Sequence, residues 1–320
     1  MTISDIISEF GAYYIKNSAN ASNIYTMLRA NTETAKLFTP IATDDTVWRA
    51  AQTIQKRVLQ PFQKAFTPID GAEFKARSIE QFKMKVDDSQ YPDDLEASWL
   101  GFLAGNSTNR LEWPFVRWYV ETVLIEQAKE DEELNEIFWG VRTEPTPGTA
   151  GAVSTGMNGI NKIIMDFQTA GDIVPVQTGA IPADNTDFVD YVEEFADAIN
   201  KKYWRTPMQL AMSETLSRKY QRGYDEKYGT RTNSTGKNDT EVSKTNLTVI
   251  GLPSMIGSDG IWCTPKPNAV KLMKRTANLN SFELEKVDRQ VKLYTDYSTG
   301  VGFVIPAAVF TNDQFEEQGS

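Results

Sequence analysis

The stretch Phe82-Lys83-Met84-Lys85-Val86-Asp87-Asp88-Ser89-Gln90-Tyr91-Pro92-Asp93-Asp94-Leu95-Glu96-Ala97-Ser98-Trp99-Leu100-Gly101-Phe102-Leu103 changes its hydrophobic period part-way along. Phe82, Met84 and Val86 alternate with Lys83, Lys85 and Asp87. That period of two sends successive side chains to opposite faces of a strand. Upstream, Phe74 alternates with Glu73 and Lys75 in the same way. Two strands are therefore expected within residues 67–94, read as a projecting two-stranded arm. A lone ribbon is marginally stable in water, so an arm of this kind needs something to lie on. After Pro92 the period becomes helical, with Trp99, Leu100, Phe102 and Leu103 in a short apolar segment that ends at Gly105.

A second helix is expected further on. Asn109 followed by Glu112 resembles a capping box, and Pro114 is tolerated only near a helix start. Val116, Tyr119, Val120, Val123, Leu124 and Ala128 then recur at three- and four-residue spacing. They predict the packing face of an amphipathic helix of roughly 30 Å. The acidic run Glu130 to Glu136 reads as its solvated face, in preference to a metal site. Glu144-Pro145-Thr146-Pro147-Gly148 is a linker, and a domain boundary is expected within residues 141–156.

Working outward, Ile3, Ile6, Ile7 and Phe10 make a short apolar stripe near the N-terminus. Val47, Ala50, Ala51, Ile54 and Val58 predict a helix over about Thr46 to Gln60, capped by Asp44 or Asp45 and ended by Pro61. Past the linker, Ile160, Ile163, Ile164 and Phe167 suggest another helix. Phe188, Tyr191, Val192, Phe195, Ile199 and Tyr203 line one face of the next, and Leu216, Tyr220, Tyr224 and Tyr228 one side of a helix closed by Gly229. The tyrosine row reads as core or interface, in preference to a stacking platform for bases. Thr230 to Thr240 is a polar loop expected at an exposed edge. The remainder is β-rich: Leu247 to Ile250, Ile261 to Thr264, Ala269 to Met273, then segments around Leu284, Val291 to Tyr294 and Val301 to Ile305. Gly300 and the Asp296 to Thr299 stretch read as punctuation.

Composition excludes several chemistries. The chain of 320 residues has no histidine, which removes Ser-His and Cys-His catalysis and the commonest zinc ligand. Its one cysteine, Cys263, lies in the apolar run Gly260-Ile261-Trp262-Cys263 and is expected in the core. No P-loop, GxGxxG, GxSxG or CxxC pattern is present. Asp87-Asp88 and Asp93-Asp94 are the remaining acid-pair candidates, and adjacent residues on a strand point to opposite faces. Net charge is -10, which opposes binding to nucleic-acid phosphates and suits a container that must not adhere to its DNA. Mean hydropathy is -0.42. No apolar run approaches the roughly 20 residues of a membrane span, and Met1-Thr2-Ile3-Ser4-Asp5 carries no secretory pattern. No enzyme, cofactor or membrane association is expected.

Three segments carry a family resemblance: Tyr91 to Leu103, Glu112 to Trp118, and Gly251-Leu252-Pro253-Ser254 through Thr264-Pro265-Lys266-Pro267-Asn268. Taken with the order of elements, the chain resembles the major capsid proteins of tailed bacteriophages with the α+β HK97-like fold. It is similar in appearance to those of crAss-like phages and their relatives. The resemblance implies an N-terminal arm over residues 1–66, an E-loop β-hairpin over 67–94, a P-domain with its spine helix and sheet over 95–172, an A-domain over 173–265, and return strands over 266–320. It implies that Phe74, Lys75, Arg77, Phe82, Lys83, Met84 and Lys85 contact a neighbouring subunit. Val116, Tyr119, Val120, Val123 and Leu124 would pack the spine. Pentamers and hexamers of this chain would close an icosahedral shell around double-stranded DNA, assembled in the host cytoplasm with portal, scaffold and decoration proteins as further partners. An encapsulin-like compartment and a tail or adaptor ring component are the alternatives.

Overall fold

A computed structural model describes Ile6, Met27 and residues 32–54, 59–67, 69, 73–229, 240–276 and 283–316. In chain order the strands are β1 (Thr39–Thr43), β2 (Val47–Ile54), β3 (Glu73–Glu80), β4 (Phe82–Gln90), β5 (Met208–Ser213), β6 (Thr240–Glu241), β7 (Leu247–Leu252), β8 (Trp262–Thr264), β9 (Ala269–Lys274), β10 (Glu283–Val287), β11 (Gln290–Phe303) and β12 (Phe310–Thr311). The main helices are α1 (Pro92–Gly105), a spine α2, α3 (Ile160–Thr169), α4 (Asn185–Ala198) and α5 (Glu214–Tyr228). The spine runs without a break through α-helical Phe115–Trp118, π-helical Tyr119–Leu124, α-helical Ile125–Asp131 and π-helical Glu132–Glu136.

Two five-stranded sheets and one ribbon carry the architecture. The first sheet is organised by β11. Its two ends pair with β10 and β9 along one edge, and β4 pairs along the other, Phe82 opposite Thr299 through Gln90 opposite Val291. β1 closes the far side, parallel to β9. The second sheet, in the order β12-β8-β5-β7-β6, packs against α4 and α5. The stretch Asp296 to Gly300, expected to punctuate, lies inside β11. Gly300 is needed for a close crossing and not for a turn: a Cβ there would lie 2.1 Å from the Glu80 carbonyl oxygen.

The two-stranded ribbon differs from the arm expected over residues 67–94. β3 pairs with β2, from Val47 opposite Glu80 to Ile54 opposite Glu73, whereas β4 belongs to the first sheet. The helix expected over Thr46 to Gln60 is therefore a strand through Ile54. Half-buried Trp48 and buried Ala50 alternate with exposed Val47 and Arg49, so the strand period governs the side chains. Asp44 caps no helix; it accepts from the Thr276 N–H at 2.7 Å and hydroxyl at 2.8 Å.

Separate apolar clusters fill the layers. Trp99, Leu103, Phe115, Trp118 and Tyr119 join α1 and the spine to Val291 and Leu293 of β11, and buried Ile6 lies among them. The rest of the expected N-terminal stripe (Ile3, Ile7 and Phe10) lies outside the described residues, as do residues 230–239 of the polar loop. Phe38 sits 6.2 Å from Trp262 and 6.1 Å from Phe303, tying the N-terminal segment to both sheets. Phe188, Tyr191, Val192, Phe195 and Ile199 pack with Leu216, Tyr220, Tyr224 and β5, as their spacing predicts. Cys263 is buried in that cluster, and desolvation pushes its thiol well above the usual range.

The acidic end of the spine is the main departure from the sequence reading. Glu132, Glu133 and Glu136 are buried, not solvated. Glu132 pairs at 2.6 Å with Lys271 of β9, the two side chains 2% and 3% exposed. Glu133 accepts from the Thr34 N–H at 3.1 Å and from its hydroxyl, which also lies 2.6 Å from the Ser254 hydroxyl. Glu136 accepts from the N–H groups of Gly156 and Met157 at 2.9 and 3.3 Å. One helical turn thus fastens three other pieces of chain, and a fourth, at Ser254, through Thr34.

Removing one partner of a buried pair leaves the other charge uncompensated. Lys271→Met is expected to cost about 3–5 kcal/mol in denaturant unfolding, and Lys271→Met with Glu132→Leu to recover most of it. A single substitution costing under about 1 kcal/mol would show that water reaches Glu132.

Candidate assembly interface

Among the described residues, the ribbon is held at its root. Ile79, with Trp48 beside it, packs on Val270 and Leu272 of β9. Arg77 pairs with Asp172 at 2.7 Å and lies 5.6 Å from the Phe167 ring. The whole ribbon, root included, is eight residue pairs and about 27 Å long at strand rise. At the far end every described side chain from Leu59 to Thr67 is exposed. Leu59, Phe62 and Phe66 are 84%, 92% and 92% exposed. Three large apolar side chains within eight positions, covered by none of the described residues, form a patch of the kind that marks an interaction site.

The residues expected to contact a neighbour are distributed differently. Arg77 lies at the ribbon root, and Phe74 and Lys75 lie on β3 opposite Thr53 and Gln52, their side chains outside the described residues. Phe82, Lys83, Met84 and Lys85 are on β4, within the body. Phe82 packs against the cluster around Phe38 and Trp262, and Met84 lies against Gly156, where a Cβ would sit 2.4 Å from its methyl. Lys83 pairs with Asp296 at 2.6 Å and Lys85 with Asp87 at 2.5 Å. These four residues lie on a strand of the body's first sheet; they are not on the ribbon. Leu59 falls at the end of the segment expected as a helix, and Phe62 and Phe66 follow no period. Their signal in the sequence is two large apolar residues outside any periodic element, between Pro61 and Pro68.

On the spine, Val116, Tyr119 and Val120 are buried and Leu124 packs beside them, as expected. Val123 is 39% exposed. Its place is taken by Ile125, five residues after Val120, because a π-helical stretch advances the buried ridge by five positions where an α-helix advances four. Asn109 accepts from the N–H groups of Leu111 and Glu112 at 2.9 and 3.0 Å, but this closes a turn and not the expected capping box: the spine starts at Phe115, after Pro114, with no side-chain cap, and Glu112 accepts from the Thr108 hydroxyl. The acid pair on β4 diverges: Asp87 meets Lys85, while half-buried Asp88 accepts from the Tyr119 hydroxyl. Burial, then that bond, lifts the Tyr119 hydroxyl above the usual phenol range. Asp93 and Asp94 occupy the first turn of α1, where acidic groups suit the helix dipole.

No protein-family model and no curated protein matches the chain. Solved structures do. A chain of the procapsid of satellite phage P4, solved with its size determination protein, superposes with a TM-score of 0.56 at 11% identity, over 98% of both chains. Mycobacterium phage Che8 gives 0.52 at 10% identity, over 89% of this chain and 92% of that one. The capsid of Myoviridae phage XM1 gives 0.51 at 10% identity, over 88% and 91%. The chain thus has the α+β fold of phage capsid proteins. It is the HK97-like fold.

The loop at Gly156 couples the interior to pH. Burial, the largest influence, raises the Glu136 carboxyl above its ordinary range, and the N–H groups of Gly156 and Met157 offset part of this. A carboxylate whose folded pKa is raised binds more protons folded than unfolded, so stability falls as pH rises from the unfolded value through the folded one. Glu136→Gln keeps an acceptor for the Gly156 N–H and removes the titration. Thermal unfolding from about pH 4.5 to 8 should show wild type losing stability relative to this variant as pH rises. A pH-independent difference would contradict the assignment.

Proposed function

We propose that this chain is the major capsid protein of a tailed bacteriophage, with a structural and not a catalytic role. Many copies assemble into pentamers and hexamers and close an icosahedral shell around double-stranded DNA. The protein resides in the virion after assembly in the host cytoplasm, with portal, scaffold and decoration proteins as partners. The likeness to crAss-like phages rests on the three sequence segments alone.

The observation that carries this reading is the arm. A ribbon about 27 Å long, ending in the exposed Leu59, Phe62 and Phe66, is unstable as a free element and stable when laid on a second copy. Burying each such side chain is worth about 1.5–3 kcal/mol. Repeated over every subunit, contacts of this size sum by avidity to a durable shell. The net charge of -10 limits adhesion to packaged DNA. Among the described residues no helix is long and apolar enough to cross a membrane.

Negative-stain electron microscopy with light scattering tests the reading directly. Wild type should form shells, tubes, pentamers or hexamers. Phe62→Ser with Phe66→Ser should stay small under the same conditions while its own unfolding shifts by no more than about 0.5 kcal/mol, because both side chains are 92% exposed. A wild type that remains monomeric with scaffold or crowding supplied would sink the capsid reading. Unimpaired assembly of the double variant would remove the role given to the tip.

A further inference from the structure

One end of the second sheet has a charge character unlike the rest of the chain. Between α4 and β5 the sequence reads Asn200-Lys201-Lys202-Tyr203-Trp204-Arg205-Thr206-Pro207, three cations and two aromatic rings with no acid, in a chain of net charge -10. Lys201, Lys202 and Arg205 are exposed. The knob is rigid. Asn200 caps its turn by accepting from the Lys202 N–H at 3.0 Å, and the Trp204 indole N–H donates to the Ile199 carbonyl at 2.7 Å. Its ring stays 48% exposed, with the Lys201 ammonium 5.7 Å from its centre. The β6–β7 loop adds exposed Lys244 at this same end, joined to the knob through the Met208 N–H bond to Asn246 at 3.2 Å. Cations just after a helix suit its C-terminal dipole, which accounts for Lys201 and Lys202. It does not account for Arg205, Lys244 or the half-open indole.

The complementary surface is on the same chain. Asp187, Asp190, Glu194 and Asp197 recur at three-, four- and three-residue spacing along α4 and are all exposed, a single acidic stripe. Asp190 is taken by Lys227. Asp187, Glu194 and Asp197 make no ion pair within the chain among the described residues, and neither do Lys201, Lys202, Arg205 or Lys244. The knob follows directly on the C-terminal end of α4, so the two surfaces lie at different places on one element. A contact in which the knob of one copy meets the stripe of the next can repeat head to tail, the kind that generates rings.

We infer that the Lys201–Arg205 knob of one copy docks on the acidic stripe of α4 of the next, and that Trp204 anchors the pair. Complementary patches of this sort set register and encounter rate and are weakened by salt. The inference rests on the shell reading for its ring and adds the surfaces that meet.

Zero-length carbodiimide cross-linking of assemblies made from mixed nitrogen-14 and nitrogen-15 copies tests it. Mixed-isotope peptides joining Lys201 or Lys202 to Asp187, Glu194 or Asp197 are expected. Charge reversal of the knob (K201E, K202E, R205E) should slow assembly at low salt at least tenfold, as should reversal of the stripe (D187K, E194K, D197K). Both reversals in one chain should restore most of the rate. Shells that form normally without these cross-links, or a combined variant no better than the single ones, would overturn the inference and leave the capsid reading standing. A wild type that stays monomeric at every salt concentration overturns both. A knob variant that assembles normally but loses retention of a single-stranded oligonucleotide overturns it in favour of nucleic-acid contact.

Discussion

The buried carboxylates at the end of the spine set the geometry of the subunit. A buried ion pair contributes little net stability, because desolvation offsets the attraction. Its effect is on specificity: every arrangement that separates Glu132 from Lys271 leaves a charge in an apolar interior. Glu133 and Glu136 extend the constraint to Thr34 and to the 156–157 loop. Tyr297 completes the surroundings. Burial, then the charges of Glu132, Glu136 and Asp131, hold its hydroxyl far above the usual phenol range, so it stays neutral beside them. The spine, the N-terminal segment, β9 and the loop before α3 therefore have one mutual placement.

That placement orients the arm. β9 is both the partner of the spine, through Lys271, and the floor under the ribbon, through Val270 and Leu272. β11 passes beside it, and Gly300 lets the ribbon root approach the long strand without a side chain between them. A body fastened at β9 thus aims an arm whose tip it cannot cover. The apolar residues that a monomer leaves exposed collect where a second copy would cover them, and charges of opposite sign separate onto the knob and the α4 stripe. Both features are costly or neutral in isolation, and the proposed assembly gives each a use.

Much of this was legible in the sequence, and the division follows the range of the forces involved. The helical faces of α4 and α5, the strands β4, β7 and β9 and the burial of Cys263 follow from local period and turn chemistry. The absence of histidine narrows the chemistry open to the chain whatever its fold. Which strand pairs with which is a long-range choice. Val47, Ala50, Ala51 and Ile54 satisfy a helical period, yet pairing with β3 makes that segment a strand, because ladder hydrogen bonds and the Trp48–Ile79 pair outweigh a weak local preference. The same choice moved Phe82 and Met84 from the arm into the body.

Charge shows the same division. Glu130 to Glu136 determined by itself only that a helix there is acidic. That three of those carboxylates lie buried was decided by where Lys271, Thr34 and the 156–157 backbone fall in space, at separations of up to 139 positions along the chain. Period and composition act between neighbours, so the sequence alone determined elements and excluded chemistries. Pairing, burial of charge and the exposed tip depend on the whole fold, because each is settled by what remains uncovered once every other group has found its partner.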